Sequence, residues 1–164
     1  MRKKNPSHNR KYTPGFNGEV LKSVYGSLLG FNEDFKDWMF SLQEGRCGYC
    51  GESMGETWRA NRNAHVEHVH NRRNGGEDLP PNLVYACRSC NIMKGRLHYS
   101  SLKLKIPMRR AGINGLIAPS KCQKLIEMGL ISITPLEKVF FEEKQWPHVK
   151  GYSLQEIEEF SESD

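Results

Sequence analysis

The chain has 164 residues, of which 37% are apolar and 26% charged, with a net charge of +5. That length allows one domain with a modest core, and the low apolar share predicts a core braced by something besides apolar burial. No apolar run approaches the roughly 20 residues that cross a bilayer, and MRKKNPSHNRKYTPG lacks the apolar stretch of a secretory signal. No membrane role and a cytoplasmic location are expected.

Charge is unevenly placed. Residues 1–15 carry Arg2, Lys3, Lys4, Arg10 and Lys11 and no acid, while residues 151–164 carry Glu156, Glu158, Glu159, Glu162 and Asp164 and no base. The basic arm suits a polyanion; a solvated tail explains it equally well. After the arm, EVLKSVYGSLLG and NEDFKDWMFSLQEG are expected helices. In the second, Phe35, Trp38, Met39 and Leu42 recur at helical spacing and Gly45 is the stop. RCGYCGESM reads as a turn-rich knuckle, AHVEHV as a strand, NRRNGGEDLPPN as a loop and LVYA as a second strand. A helix is expected to open at CRSC and run on through NIMKGRLHYSSL. PSKCQKLIEMG predicts a helix closed by Gly129. TPLEKVFFEEKQW predicts another, with Thr134 as N-cap, Pro135 at the first helical position and Glu137 closing a capping box. YSLQEIEEF repeats that box with Ser153 and Glu156. The expected organisation is an arm (1–15), a helical flank (16–46), a ββα core (47–100) and a helical extension (101–164).

Cys47 and Cys50 form one CxxC unit, Cys87 and Cys90 another, and Cys122 stands alone on an expected helix. Cys122 is read as a small buried apolar residue. In a reducing compartment, paired CxxC units are metal sites more often than disulfides; the rivals are four ordinary thiols or two redox pairs. Four thiolates suit tetrahedral zinc, which would tie the two knuckles together and clamp the hairpin between them. Such a site is closed and structural, so any chemistry belongs to the polar residues between the knuckles.

Those residues read EHVHNRRNGGEDLPPNLVYACRSCNIMKG. Glu67-His68, Gly75-Gly76, Asn82-Leu83 and Cys87 through Gly95, with the upstream Cys47-Gly48-Tyr49-Cys50-Gly51, resemble the core of an HNH endonuclease of the ββα-metal, treble-clef type. The resemblance covers residues 47–96. It implies an α+β fold, a zinc-stapled ββα-metal core inside a mainly helical small domain. It also implies a metal-dependent endonuclease that hydrolyses DNA, most simply double-stranded DNA, to a 5′-phosphate and a 3′-hydroxyl. His68 would be the general base: an ordinary imidazole, with a pKa near ~6.5, is largely neutral at working pH. Glu67 and Asn91 would hold one magnesium or manganese ion, and Asn82 would orient the histidine through its side-chain carbonyl. Here the acid before the histidine is Glu where the family often has Asp, and the final position is Asn91 where others have His. Both occur in the family.

Arg72, Arg73, Arg88, Lys94 and Arg96 are expected to hold DNA phosphates beside the site. His65 and His70 share strand faces with Glu67 and His68, but are read as polar-face or loop contacts. The helical flanks leave room for a protein partner or a homodimer. Two other functions fit the same letters: the nuclease subunit of an anti-phage complex, silent until a partner engages it, and a non-catalytic zinc-knuckle module that only binds nucleic acid. Target sequence and biological setting are not legible in the residues.

Overall fold

The computed structural model describes residues 33–60, 62–76 and 80–145. The basic arm, the expected helix at EVLKSVYGSLLG, the acidic tail and the YSLQEIEEF capping box lie outside these residues. The described helices are α1 (Glu33–Leu42), α2 (Arg88–Lys94), α3 (Leu102–Arg110), α4 (Pro119–Glu127) and α5 (Phe140–Lys144). Strands β1 (Ala64–His68) and β2 (Leu83–Cys87) form one antiparallel hairpin, in register from Ala64 opposite Cys87 to His68 opposite Leu83. Among the described residues no helix is long and apolar enough to cross a membrane.

α1 buries Phe35, Met39 and Phe40, with Trp38 packed at the edge. The expected Leu42 turns outward and Phe40 takes the inward place, its ring edge-on to Tyr85 at 5.2 Å. Gly45 does end the segment, at φ 63°, and its N–H bonds back to Phe40. Just before it, fully buried Gln43 turns onto the hairpin. Its Oε1 accepts the Tyr85 N–H at 2.7 Å, and its Nε2 donates to the carbonyls of Tyr85 at 3.0 Å and Arg46 at 2.9 Å. One side chain thus supplies bonds that a third strand would otherwise make.

The hairpin loop carries a 3₁₀ turn, Arg72–Asn74. Its two glycines do different work. Gly75 closes the turn at φ 91°, a conformation glycine adopts without steric penalty. Gly76 lies against the His70 carbonyl, where an added Cβ would come within 1.9 Å of the oxygen.

Beyond β2 the chain departs from the sequence expectation twice. The helix opening at the second knuckle stops at Lys94, because Gly95 takes φ 54°. A 3₁₀ turn, Tyr99–Ser101, then leads into α3. The sequence LKLKIPMRR hides this helix, since Leu and Lys alternate and Pro107 removes a helical N–H. The Lys103 carbonyl, which Pro107 would otherwise have met, accepts the Leu136 N–H at 2.7 Å. α3 buries Leu102, Ile106 and Met108.

The second departure is at residues 134–145. Gly129 closes α4 as expected, at φ 69°, and Cys122 is buried on that helix. No helix starts at Thr134. Helix α5 begins at Phe140, and Glu142 rather than Glu137 closes its start, accepting the Val139 N–H at 2.8 Å. The reason is tertiary. Phe140 and Phe141 donate their N–H groups to the carbonyls of Tyr49 at 3.0 Å and Gly48 at 2.7 Å, so they dock on the first knuckle. Val139 and Phe141 are buried there, and the Phe141 ring meets Tyr49 and Tyr99.

Replacing Gln43 by Ala would strand the buried N–H of Tyr85, whose carbonyl keeps the Gly48 N–H at 2.8 Å. A loss of about 1–3 kcal/mol of stability is expected, measured by urea denaturation of the zinc-loaded chain.

Candidate functional site

The sulfurs of Cys47, Cys50, Cys87 and Cys90 lie within 4.8 Å of one another. The Cys50 and Cys87 sulfurs are 3.9 Å apart, close to the spacing of about 3.8 Å that four Zn–S bonds of ~2.3 Å impose in a tetrahedron. All four cysteines are free thiols, three of them buried. Donor chemistry and spacing both fit a closed zinc site. Local structure builds it: the first pair lies in a turn before the hairpin, and Cys87 is the residue that caps α2, its sulfur accepting the Cys90 N–H at 3.4 Å. The Cys87 N–H points at the Cys47 sulfur at 3.3 Å.

Four thiolates around Zn²⁺ carry a net charge of about −2, so donors beside the sulfurs stabilise the cluster. Arg109 supplies them from α3. Its Nη1 stands 3.9 Å from the Cys87 sulfur and 4.0 Å from that of Cys90, and its other nitrogen pairs with Glu52. Arg110 donates to the Cys50 carbonyl at 3.1 Å. No sequence signal singled out these two arginines, because α3 itself was hidden.

The polar groups gather at the other end of the hairpin. Glu67 is 7% exposed, and both its oxygens are engaged. The Tyr49 hydroxyl donates to Oε2 at 2.8 Å, and the Lys94 ammonium pairs with Oε1 at 3.0 Å. Burial raises the Glu67 carboxyl above its ordinary range, with Lys94 and Tyr49 opposing the shift. Lys94 is therefore a correction to the phosphate-holding set: its side chain is wholly buried and its charge turns inward. Tyr49 was not foreseen either, since nothing in a knuckle sequence says that its hydroxyl meets a carboxylate.

His68 is half-buried at the end of β1, opposite Leu83. The Asn82 side chain grips the backbone just beyond it. Its Oδ1 accepts the His70 N–H at 2.7 Å, and its Nδ2 donates to the His70 carbonyl at 2.9 Å. The carbonyl expected to orient the histidine thus fixes the chain that follows it. His70 is half-buried, and its imidazole is held below the ordinary value by burial, then by the nearby charges of His98 and Lys94. His98, absent from the sequence expectation, belongs to this neighbourhood, its Nδ1 2.8 Å from the Ser100 hydroxyl.

Asn91 lies one helical turn before Lys94 on α2, hence on the same helix face. Arg72 and Arg73 are exposed in the turn that follows β1, and Arg96 is exposed just past α2. Arg88 is not with them. It sits at the far end of the hairpin, where its N–H bonds Asn63, and it lines a hollow with Ser89 and Ile92.

A second metal would need hard oxygen donors. The Glu67 carboxylate and the Asn91 amide are of that kind, and the place beside Glu67 Oε1 already stabilises a positive charge. Among the described residues the four cysteines are the one group of three or more His, Cys, Asp or Glu that converges on a common point.

Arg109→Met is expected to leave zinc stoichiometry unchanged but to speed zinc loss to a chelator several-fold, read with a chromophoric zinc indicator. Cys47→Ser or Cys90→Ser should instead cost folding, because one lost ligand opens the site.

No curated protein and no solved structure matched the chain. A family model did, that of the HNH endonucleases, over residues 47–97, just under a third of the chain. The matched stretch opens on the first cysteine of the cluster and closes three residues past Lys94, so it frames the same two knuckles, hairpin and helix that the geometry draws together. Residues 47–97 thus match the HNH endonuclease family, within a longer chain whose flanks the family model does not cover.

Proposed function

We propose that the chain is a metal-dependent endonuclease that hydrolyses phosphodiester bonds of DNA, double-stranded DNA being the expected substrate. The observation that carries the reading is the placement of the consecutive residues Glu67 and His68 at the end of β1, inside the segment that matches the nuclease family model. Hydrolysis needs a base for the attacking water. The neutral imidazole of His68 takes a proton from water as its oxygen attacks phosphorus; the P–O3′ bond breaks and the 3′-oxygen leaves as a hydroxyl. Asn82 positions the backbone behind His68 through its two bonds to His70. Glu67 and Asn91 are the residues that would hold magnesium or manganese. When bound, such an ion supplies positive charge against the charge that builds on phosphate and leaving oxygen. Exposed Arg72, Arg73 and Arg96 suit phosphates flanking the cut. Arg88, at the far end of the hairpin, suits a more distant phosphate. Zinc on the four cysteines holds the module together and takes no part in the chemistry.

A partner-dependent form of the same activity has its own support. Ile92, Leu116, Met128 and Leu130 are large apolar side chains at least 63% exposed, and exposed apolar surface of this kind suits a protein contact.

His68→Ala is expected to lose several orders of magnitude in single-turnover cleavage of plasmid while keeping zinc, fold and DNA binding. Glu67→Ala should be partly rescued by high manganese, and Asn82→Ala should be milder than His68→Ala. Near-wild-type cleavage by His68→Ala would sink the assignment. Binding without cleavage under every metal condition would leave a nucleic-acid-binding module.

A further inference from the structure

Glu67 and Lys94 form the most deeply buried ion pair among the described residues, with side-chain exposures of 8% and 0%. A buried ammonium is costly unless an anion meets it, and removing either partner of such a pair leaves an uncompensated charge. The chain holds the pair firmly. Lys94 is the last residue of α2, Gly95 turns the backbone away immediately after it, and the fully buried Tyr49 fixes the other carboxylate oxygen. Glu67 is therefore neutralised by the protein itself, with no metal ion needed to balance its charge.

We propose that Lys94 is a resident counter-cation that competes with the divalent ion for the Glu67 carboxylate. This rests on the reading of Glu67 as a metal-holding residue. An ammonium and a dication against one carboxylate repel each other strongly where water is scarce. Metal can load only as the ammonium moves off Oε1, so the affinity measured for the ion is the difference between two cations' claims on one site. Lys94 thus sets how much metal the chain requires, and it does so from inside the core rather than from the surface that meets DNA.

The test uses the full zinc-loaded chain and Mn²⁺ alone, with binding read by calorimetry and by the paramagnetic resonance of free Mn²⁺. Lys94→Gln keeps a donor for Glu67 but removes the charge, so it should fold, as zinc content and circular dichroism will report. It should bind Mn²⁺ roughly tenfold more tightly than the unaltered chain. Lys94→Arg keeps the charge and should stay as weak as the unaltered chain. Glu67→Gln should lose the site. A measurement without altering the lysine stands beside these: the side-chain resonances of Lys94 should shift as Mg²⁺ is added, and should not shift in Glu67→Gln. If Lys94→Gln gains no affinity and the Lys94 resonances stay still while Glu67→Gln abolishes binding, the competition is wrong and the metal reading of Glu67 stands. If Glu67→Gln binds Mn²⁺ unchanged, the metal reading falls and the competition with it.

Discussion

Four sulfurs, two from a turn before the hairpin and two from the junction of β2 with α2, converge within 4.8 Å, and the rest of the architecture hangs on that convergence. A two-stranded hairpin is marginal alone in water. Here it is closed at one end by the cysteine cluster and backed by α1 and by the segment around Phe141. The core that results is small but crowded: Gly48 lies so close to Val84 that an added Cβ would come within 2.0 Å of its methyl group. The cysteine cluster and the packing share residues, because the knuckle that carries Cys47 and Cys50 also offers its carbonyls to Phe140 and Phe141.

A division of labour along the hairpin follows. One end holds soft sulfur donors, backed by Arg109 and Arg110. The other end holds His68, Glu67, His70 and Asn82, whose nitrogens and hard oxygens suit proton transfer and hard cations. α2 spans the two, opening at the sulfur of Cys87 and ending at the ammonium of Lys94. Tyr49 couples them from the opposite side. It sits between Gly48 and Cys50 in the first knuckle, yet its hydroxyl holds Glu67. The position of the carboxylate is thereby tied to the integrity of the metal knuckle.

The local features were legible in the sequence because their signals are local. CxxC spacing, Gly-Gly between two apolar runs, Gly45 and Gly129 as stops, and the alternation in AHVEHV each need only a few neighbouring residues to be read. What failed depended on partners distant in the chain. The box at Thr134 was persuasive by spacing, but the amides of Phe140 and Phe141 were drawn to carbonyls about 90 positions earlier, in line with tertiary contacts overriding local propensity. α3 escaped notice because Pro107 argues against a helix until the Leu136 N–H is known to serve the Lys103 carbonyl. Lys94 resembled a surface cation because its partner lies 27 residues away and only the fold brings them together. The candidate site was thus legible as a set of residue types, and illegible in which charges face inward.

The boundary of the family module and the boundary of the folded core do not coincide. The matched stretch ends at residue 97, yet Tyr99, Leu102, Ile106, Val139 and Phe141 belong to the same continuous core as Cys47, Tyr49 and Tyr85. Phe140 and Phe141 also satisfy the backbone of the first knuckle. The module is consequently not a transplantable cassette. Recombination that swapped residues 47–97 alone into another context would leave apolar side chains without a lining and knuckle carbonyls without donors. The flank and the module share one core, so a substitution on either side restricts which side chains the other can accommodate.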